Sequence, residues 1–183
     1  MSVVPDPIRQ RRRRLLPRLA TDVRGAAIIE FAMISLPFFA LMVAILQTSL
    51  TFFVQQNLDT VAEKSVRILM TGAAQQSNMT AADFKAKACT RLPTFLKCDK
   101  LMIDVRSANK YSALDTGSPN ITYDSSGNPK NLTFAPGDSG QITIVRMMYV
   151  WDVAPGPLGF DLSNLSNGKR LIVSTQVFKA EVS

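Results

Sequence analysis

The longest hydrophobic stretch of the chain lies close to its N-terminus. After Glu30, 28 residues follow without a formal charge before Asp59 is reached. As an α-helix these residues would extend over roughly 42 Å, which exceeds the ~30 Å hydrocarbon core of a bilayer. A buried helix of a soluble protein is the weaker alternative, because so small a domain could hardly enclose a cylinder that is apolar all round. The pattern predicts a transmembrane helix over residues 26–54.

Beyond this stretch the hydrophobic positions continue with helical spacing, but on one face only. The stripe consists of Val54, Leu58, Val61, Ala62, Ser65 and Leu69. It predicts that the helix continues to about Met70 as an amphipathic stem, with Gly72 as a stop signal. We expect the stripe to pack against the C-terminal part of the same chain; a partner-binding surface is the alternative.

The second half of the chain carries mostly strand patterns. Thr80 and Asp83 form a capping-box-like pair, which predicts a short helix that ends at about Leu92, before Pro93. Leu101, Ile103 and Val105 alternate with Met102, Asp104 and Arg106, which predicts a strand over residues 101–106. Further strands are predicted at 141–151 and 170–182, and two short ones at 121–123 and 132–134 inside a segment rich in turn formers. The expected fold is α+β: a long N-terminal transmembrane helix continuing into an amphipathic stem, with a small antiparallel β-sheet domain outside the membrane.

The net charge of +7 is concentrated before the hydrophobic stretch. Residues 1–25 contain two aspartates and seven arginines: Arg9, Arg11, Arg12, Arg13, Arg14, Arg18 and Arg24. The positive-inside rule keeps such a segment in the cytoplasm and places the C-terminal body outside the inner membrane. A nucleic-acid-binding arm is a rival interpretation of the arginines, and a cleaved secretory signal fits less well because its apolar region has only about 7–15 residues. The predicted domains are a basic cytoplasmic leader (1–25), the transmembrane helix (26–54) and an extracytoplasmic domain (55–183).

The composition of the chain argues against most kinds of catalytic site. The chain has no histidine, which is the commonest general base and zinc ligand, and its two cysteines are too few for a four-thiolate metal site. It has no phosphate-binding glycine loop and no pair of acids suited to acid–base catalysis. We therefore expect no enzyme activity, no catalytic, cofactor-binding or metal-binding residues, no small-molecule substrate and no nucleic acid partner. A membrane-tethered enzyme with a serine–lysine pair remains the alternative.

The two cysteines, Cys89 and Cys98, are nine residues apart. If they lie outside the cytoplasm, the oxidising compartment favours a structural disulfide between them. A redox-active pair is the alternative, although the spacing differs from C-x-x-C.

Glu30 is unusual because it places a carboxylate at the edge of the hydrocarbon region. An ionised acid at bilayer depth costs on the order of 2.5–3.5 kcal/mol, so it is expected to have a partner or a function. Stabilisation by the N-terminal helix dipole is the alternative explanation. Glu30 and Ala26, four residues before it, share one face of the helix.

The order Arg24-Gly25-Ala26-Ala27-Ile28-Ile29-Glu30-Phe31 resembles a class III prepilin signal. The resemblance implies that a prepilin peptidase cleaves between Gly25 and Ala26, so that Glu30 becomes the fifth residue of the mature chain. In a bundle of subunits, the Glu30 carboxylate would then neutralise the new α-amine of a neighbour, which offsets the cost of burying both charges.

Longer stretches are similar to the TadE-like family of tight-adherence (Flp-type) pilus assembly proteins. They are GAAIIEFAMISLP, QQNLDTVAEKSVRILMTGAAQ, CTRLPTFLKCDKLMIDVRS, ITIVRMMYVWDV and LSNLSNGKRLIVSTQVFKAEV. The resemblance implies a single-pass pseudopilin or minor pilin-like protein of the bacterial inner membrane, with its C-terminal domain in the periplasm and a role in cell adhesion. Its expected partners are the prepilin peptidase, other pilins and tight-adherence assembly proteins.

One position departs from the family's processing motif. A tyrosine often follows the glutamate there, whereas this chain has Phe31, and relatives with this architecture include uncleaved proteins. An unprocessed bitopic periplasmic scaffold or envelope adaptor is therefore the alternative function.

Overall fold

A helix of 45 residues, α1 (Ala26–Met70), dominates the computed structural model, which describes residues 25–117, 119, 121–123 and 129–180. The predicted basic leader, apart from Gly25, lies outside the described residues. The chain stays α-helical through Pro37, and α1 ends where the stop signal predicts, because Gly72 adopts a left-handed backbone conformation (φ 70°) that glycine tolerates.

The chain divides into two compact units between Ile45 and Leu46. The first unit contains the N-terminal part of α1, and the second contains the rest of α1 together with all later elements. One face of α1 is already buried in the second unit at Thr51 and Val54. The second unit therefore includes several residues that the sequence assigns to the transmembrane segment, whose limit at residue 54 stays a prediction.

Two short helices follow α1: α2 (Ala73–Gln76) and α3 (Ala81–Cys89). The predicted capping box begins α3, since the Asp83 amide donates to the Thr80 hydroxyl and the Asp83 carboxylate accepts from the Thr80 amide. The prediction that this helix reaches Leu92 is wrong by about one turn. The Leu92 amide donates to the carbonyl three residues back, in a tighter turn, because the proline that follows disfavours an α-helical residue before it.

Three antiparallel strands form the sheet in the order β1 (Leu101–Ala108), β2 (Ile142–Asp152) and β3 (Lys169–Lys179). They lie at the predicted places, with ends that differ by one or two residues; residues 181–183 at the predicted end of β3 lie outside the described part. In the register, Val105 of β1 is opposite Val145 of β2, and Ile172 of β3 is opposite Tyr149 of β2. The α+β fold class is confirmed.

The two additional short strands are a wrong prediction. In its described residues, the β1–β2 connection contributes only isolated bridges, between Val105 and Phe134 and between Tyr123 and Pro129. Strand pairing cannot extend along residues 132–134, because the Thr133 amide donates to the side chain of Asp104 and not to a strand carbonyl. Pro129 also lacks the amide hydrogen that a ladder of strand hydrogen bonds continuing past this residue would use.

The core lies between α1, α3 and one face of the sheet. All six residues of the predicted stripe are buried: Val54, Leu58, Val61, Ala62, Ser65 and Leu69. They share the core with Phe84 of α3 and with apolar side chains from all three strands: Leu101, Val105, Val145, Met147, Tyr149 and Ile172. The stripe thus packs against the chain's own C-terminal part, as expected.

Candidate functional site

The part of α1 in the first unit exposes a continuous apolar surface. Twelve large hydrophobic side chains between residues 28 and 45 are 42–73% exposed: Ile28, Ile29, Phe31, Met33, Ile34, Leu36, Phe38, Phe39, Leu41, Met42, Val43 and Ile45. Because they occupy neighbouring positions on a helix, they cover its whole circumference. Soluble monomers rarely expose contiguous apolar patches above a few hundred Å².

The free energy gained by removing this apolar surface from water is large compared with the stability of a protein. Full burial of one such side chain contributes about 1.5–3 kcal/mol, so the twelve partly exposed ones would gain on the order of 10–20 kcal/mol on leaving water. α1 is long and apolar enough to cross a membrane, and its most apolar 18-residue window is not buried by the protein. This surface therefore suggests membrane anchoring.

The predicted cleavage bond lies at the N-terminus of α1, since the helix begins at Ala26. Gly25 and Ala26 are both exposed. A Cβ atom added at Gly25 would meet no atom within 4 Å. Packing among the described residues thus does not require glycine here.

Glu30 and Phe31 lie on the second turn of α1 and are exposed. Among the described residues Glu30 forms no salt bridge. The first turn of α1 contains no acidic residue, and the influence of the helix dipole falls off beyond that turn. Dipole stabilisation is therefore a weak explanation for Glu30, and its carboxylate is accessible to a group from another chain.

Outside α1, the predicted disulfide between Cys89 and Cys98 is present, with 5.5 Å between the two Cα atoms. It closes the turn that follows α3. Phe95 in this turn stacks on Phe53 of α1, with ring centroids 5.5 Å apart. The disulfide thus holds an exposed aromatic pair at the junction of the turn and the helix.

A buried ionic network on the other face of the sheet was missed by sequence reasoning. Asp104 of β1 lies directly opposite Arg146 of β2, and the two residues are 3% and 2% exposed. The Asp104 carboxylate accepts hydrogen bonds from Arg106 Nε at 2.9 Å and from the Thr133 amide at 2.8 Å. Arg146 Nη1 lies 3.8 Å from Asp104 Oδ2.

The network attaches the β1–β2 connection to the sheet. Arg146 donates to the carbonyls of Asp115 and Gly117, and Arg106 donates to the carbonyl of Asn131. β1 is consequently covered on both faces. The available signal was an acidic and a basic residue in the middle of two apolar strands, where unpaired charge would be costly.

The polar side chains of the buried network in the second unit are bonded to one another. The shallow pocket beside the network is lined by side chains that already bind one another, Asp104, Arg106 and Arg146 among them. Within the described residues, no group of three His, Cys, Asp or Glu side chains is placed to hold a metal ion. At the end of β2, the ammonium groups of Lys100 and Lys169 lower the pKa of the exposed Asp152 carboxyl to about 2.

Comparison with known proteins gives one match. Residues 25–67 match the family model described as TadE-like protein, a range that starts at Gly25 and covers almost all of α1. No curated protein matches the chain. No solved structure matches it either. The resemblance to the TadE-like family is therefore confirmed over residues 25–67.

Proposed function

We propose that the chain is a membrane-anchored pseudopilin or minor pilin-like component of tight-adherence pilus assembly, which acts through protein–protein contacts. The TadE-like match implies a role in this assembly. One observation carries the finer proposal: α1 begins directly after Gly25, exposes a predominantly apolar surface over residues 26–45 and presents Glu30 one turn after its start.

The proposed topology follows from charge and length. The arginine-rich leader stays in the cytoplasm, and the second unit lies outside the inner membrane. Twenty residues, 26–45, span about 30 Å as a helix, which equals the thickness of the hydrocarbon core. Within the predicted span 26–54 we assign the lipid-embedded part of α1 to these residues, because Thr51 and Val54 beyond them are already buried in the folded second unit.

In the proposed maturation, the prepilin peptidase hydrolyses the Gly25–Ala26 amide bond. Water adds across this bond, leaving a carboxylate on Gly25 of the released leader and an ammonium group on Ala26. The Glu30 carboxylate of a neighbouring subunit then pairs with this ammonium group inside the apolar bundle. Pairing lowers the cost of holding either charge away from water and sets the register of adjacent helices.

Mass spectrometry of the membrane-bound protein tests the maturation step. We expect a mature N-terminus at Ala26 in cells with the peptidase and an intact leader in cells without it. Gly25→Val is expected to abolish cleavage without disturbing the fold, because the site has room for a side chain. Ala27→Val, which places the same side chain two residues later, is the matched control and is expected to be processed.

The competing function is an unprocessed bitopic scaffold in the periplasm, and Phe31 in place of the tyrosine common in the processing motif favours it. An intact leader on the native protein, with the peptidase present, would contradict the first proposal and support the scaffold. Normal assembly by Gly25→Val would do the same.

The role of Glu30 is tested by two conservative variants. Glu30→Gln keeps the shape but removes the charge, and we expect normal insertion and cleavage with reduced filament yield. Glu30→Asp keeps the charge and is expected to retain part of the assembly. If Glu30→Gln assembles as well as the unchanged protein, the pairing with a neighbour's amine is wrong.

A further inference from the structure

The packing of the residues that the structure describes does not explain an exposed leucine at the tip of the β2–β3 connection. Leu158 lies in the 3-10 turn Pro157–Gly159 and is 76% exposed. Its backbone is left-handed (φ 55°, ψ 29°), a conformation that is rare for residues with a bulky side chain. A glycine or asparagine would adopt it more easily and would expose no apolar surface. The left-handed backbone and the exposed apolar side chain of Leu158 therefore both reduce stability. This indicates that the side chain serves a contact outside the second unit.

The connection is held against α1 close to the start of the second unit. Gly156 approaches Gln47 so closely that a Cβ atom added at Gly156 would lie 2.8 Å from Gln47 Oε1 and 2.5 Å from the Phe160 carbonyl oxygen. Gln47 Nε2 also donates to the Ala154 carbonyl at 3.4 Å. Leu158, two residues from Gly156, thus lies beside the first turn of α1 in this unit.

The position of Gln47 along α1 places this contact at the membrane boundary. Residues 26–45 account for the ~30 Å of hydrocarbon that a transmembrane helix crosses. Gln47 is two residues further on, at the outer interface in the proposed topology. The tip of the connection is therefore at the level where lipid headgroups meet acyl chains.

The chemistry of the connection suits lipid. The eight residues 153–160 carry no charge. Pro155 and Pro157 have no amide hydrogen, and the Gly156 and Phe160 amides donate to carbonyls within the turn. Few backbone donors would lose hydrogen bonds to water on entering the interface, and unsatisfied donors are the main cost of non-helical backbone there.

We propose that residues 154–160 form a membrane-contacting loop that inserts Leu158 into the outer interface of the bilayer beside α1. This proposal rests on the proposed membrane anchoring. The contact would give the second unit an attachment to the membrane in addition to the single helix.

A quenching experiment on the full chain tests the loop. Leu158→Cys is labelled with a small fluorophore in single-copy nanodiscs that contain lipids with nitroxide quenchers at shallow or deep positions. The native cysteines do not react because they are bonded to each other. Leu36→Cys, on the exposed apolar part of α1, is the positive control, and Tyr111→Cys, beyond the far end of β1, is the aqueous control. If Leu158→Cys disturbs folding, Pro155→Cys on the same exposed loop carries the label.

Each outcome decides between the loop and its alternatives. We expect shallow quenchers to reduce the emission at position 158 at least about twofold more than at position 111, since interfacial side chains insert about 5–10 Å. Equal quenching at 158 and 111, with strong quenching at 36, would overturn the loop and leave the anchor intact. Absence of quenching at 36 would overturn the anchor itself. Protection of position 158 only in native membranes with assembly partners would show that a protein, and not lipid, covers Leu158, and would likewise overturn the proposal.

Discussion

Replacing Asp104 by alanine removes the carboxylate on which the buried ionic network depends. Arg146 would be left 2% exposed with its closest counter-charge gone, while it still donates to the Gly117 carbonyl at 3.0 Å. The Thr133 amide would lose its acceptor as well. Breaking a buried ion pair from one side costs about 3–5 kcal/mol. Because a hydrogen bond from Arg146 to a carbonyl survives, we expect Asp104→Ala to lower the free energy of unfolding by about 3 kcal/mol, the lower end of this range.

The opposite substitution gives a matched comparison. Arg146→Met leaves Asp104 with its hydrogen bonds from Arg106 and from Thr133. No buried charge is then left without a partner, so we expect the free energy of unfolding to fall by a smaller amount, about 1–2 kcal/mol. The variant with both Asp104→Leu and Arg146→Met is expected to be more stable than Asp104→Ala, because apolar side chains replace the pair.

Urea unfolding of the full chain in detergent micelles measures these differences. Trp151 is the only tryptophan and packs against the core, so its fluorescence reports the second unit. With a denaturant slope of about 1–3 kcal/mol per M, a loss of 3 kcal/mol lowers the midpoint by about 1–3 M. The reasoning is refuted if Asp104→Ala unfolds within about 0.3 M of the unchanged protein, or if Arg146→Met is the less stable variant.

Two further predictions concern the second unit. Cys89→Ser should lower the free energy of unfolding by about 2–3 kcal/mol, because the disulfide to Cys98 closes a short loop in the unfolded chain; identical unfolding with and without a reductant would contradict this. Asp152 has a folded-state pKa of about 2, below its ordinary value of 3.8, so its pairing with Lys100 and Lys169 contributes stability that is fully present above about pH 4 and is lost as the pH falls through about 2. Asp152→Asn should remove that part of the acid dependence, with an effect below about 1 kcal/mol since the pair is exposed; an unaltered stability profile between about pH 5 and 2 would argue against it.

The features that the sequence predicted well depend on nearby residues. The stripe from Val54 to Leu69 follows from helical periodicity, and the pair of Thr80 and Asp83 specifies a helix start within four residues. The strands were recognisable from their apolar content. The disulfide followed from the presence of two cysteines and an expected oxidising compartment.

The features that were missed depend on distant contacts. Thr133 donates to Asp104, 29 residues away, and this contact replaces the short strand that local propensity predicts at 132–134. The left-handed backbone of Leu158 has no local signal at all, since leucine rarely adopts it. Both depend on where the chain returns to the sheet or to α1, and local sequence patterns do not specify such distant contacts.

The continuity of α1 across the two units limits how the outer part of the protein can be isolated. Releasing it from the membrane by deleting residues up to 54 would also remove Thr51 and Val54, which belong to its interior. It would remove Gln47 as well, and with it the support for the β2–β3 connection. A fragment that keeps the native interior therefore has to begin no later than Leu46, because from this residue onward the same helix that exposes the apolar surface also supplies one wall of the folded core.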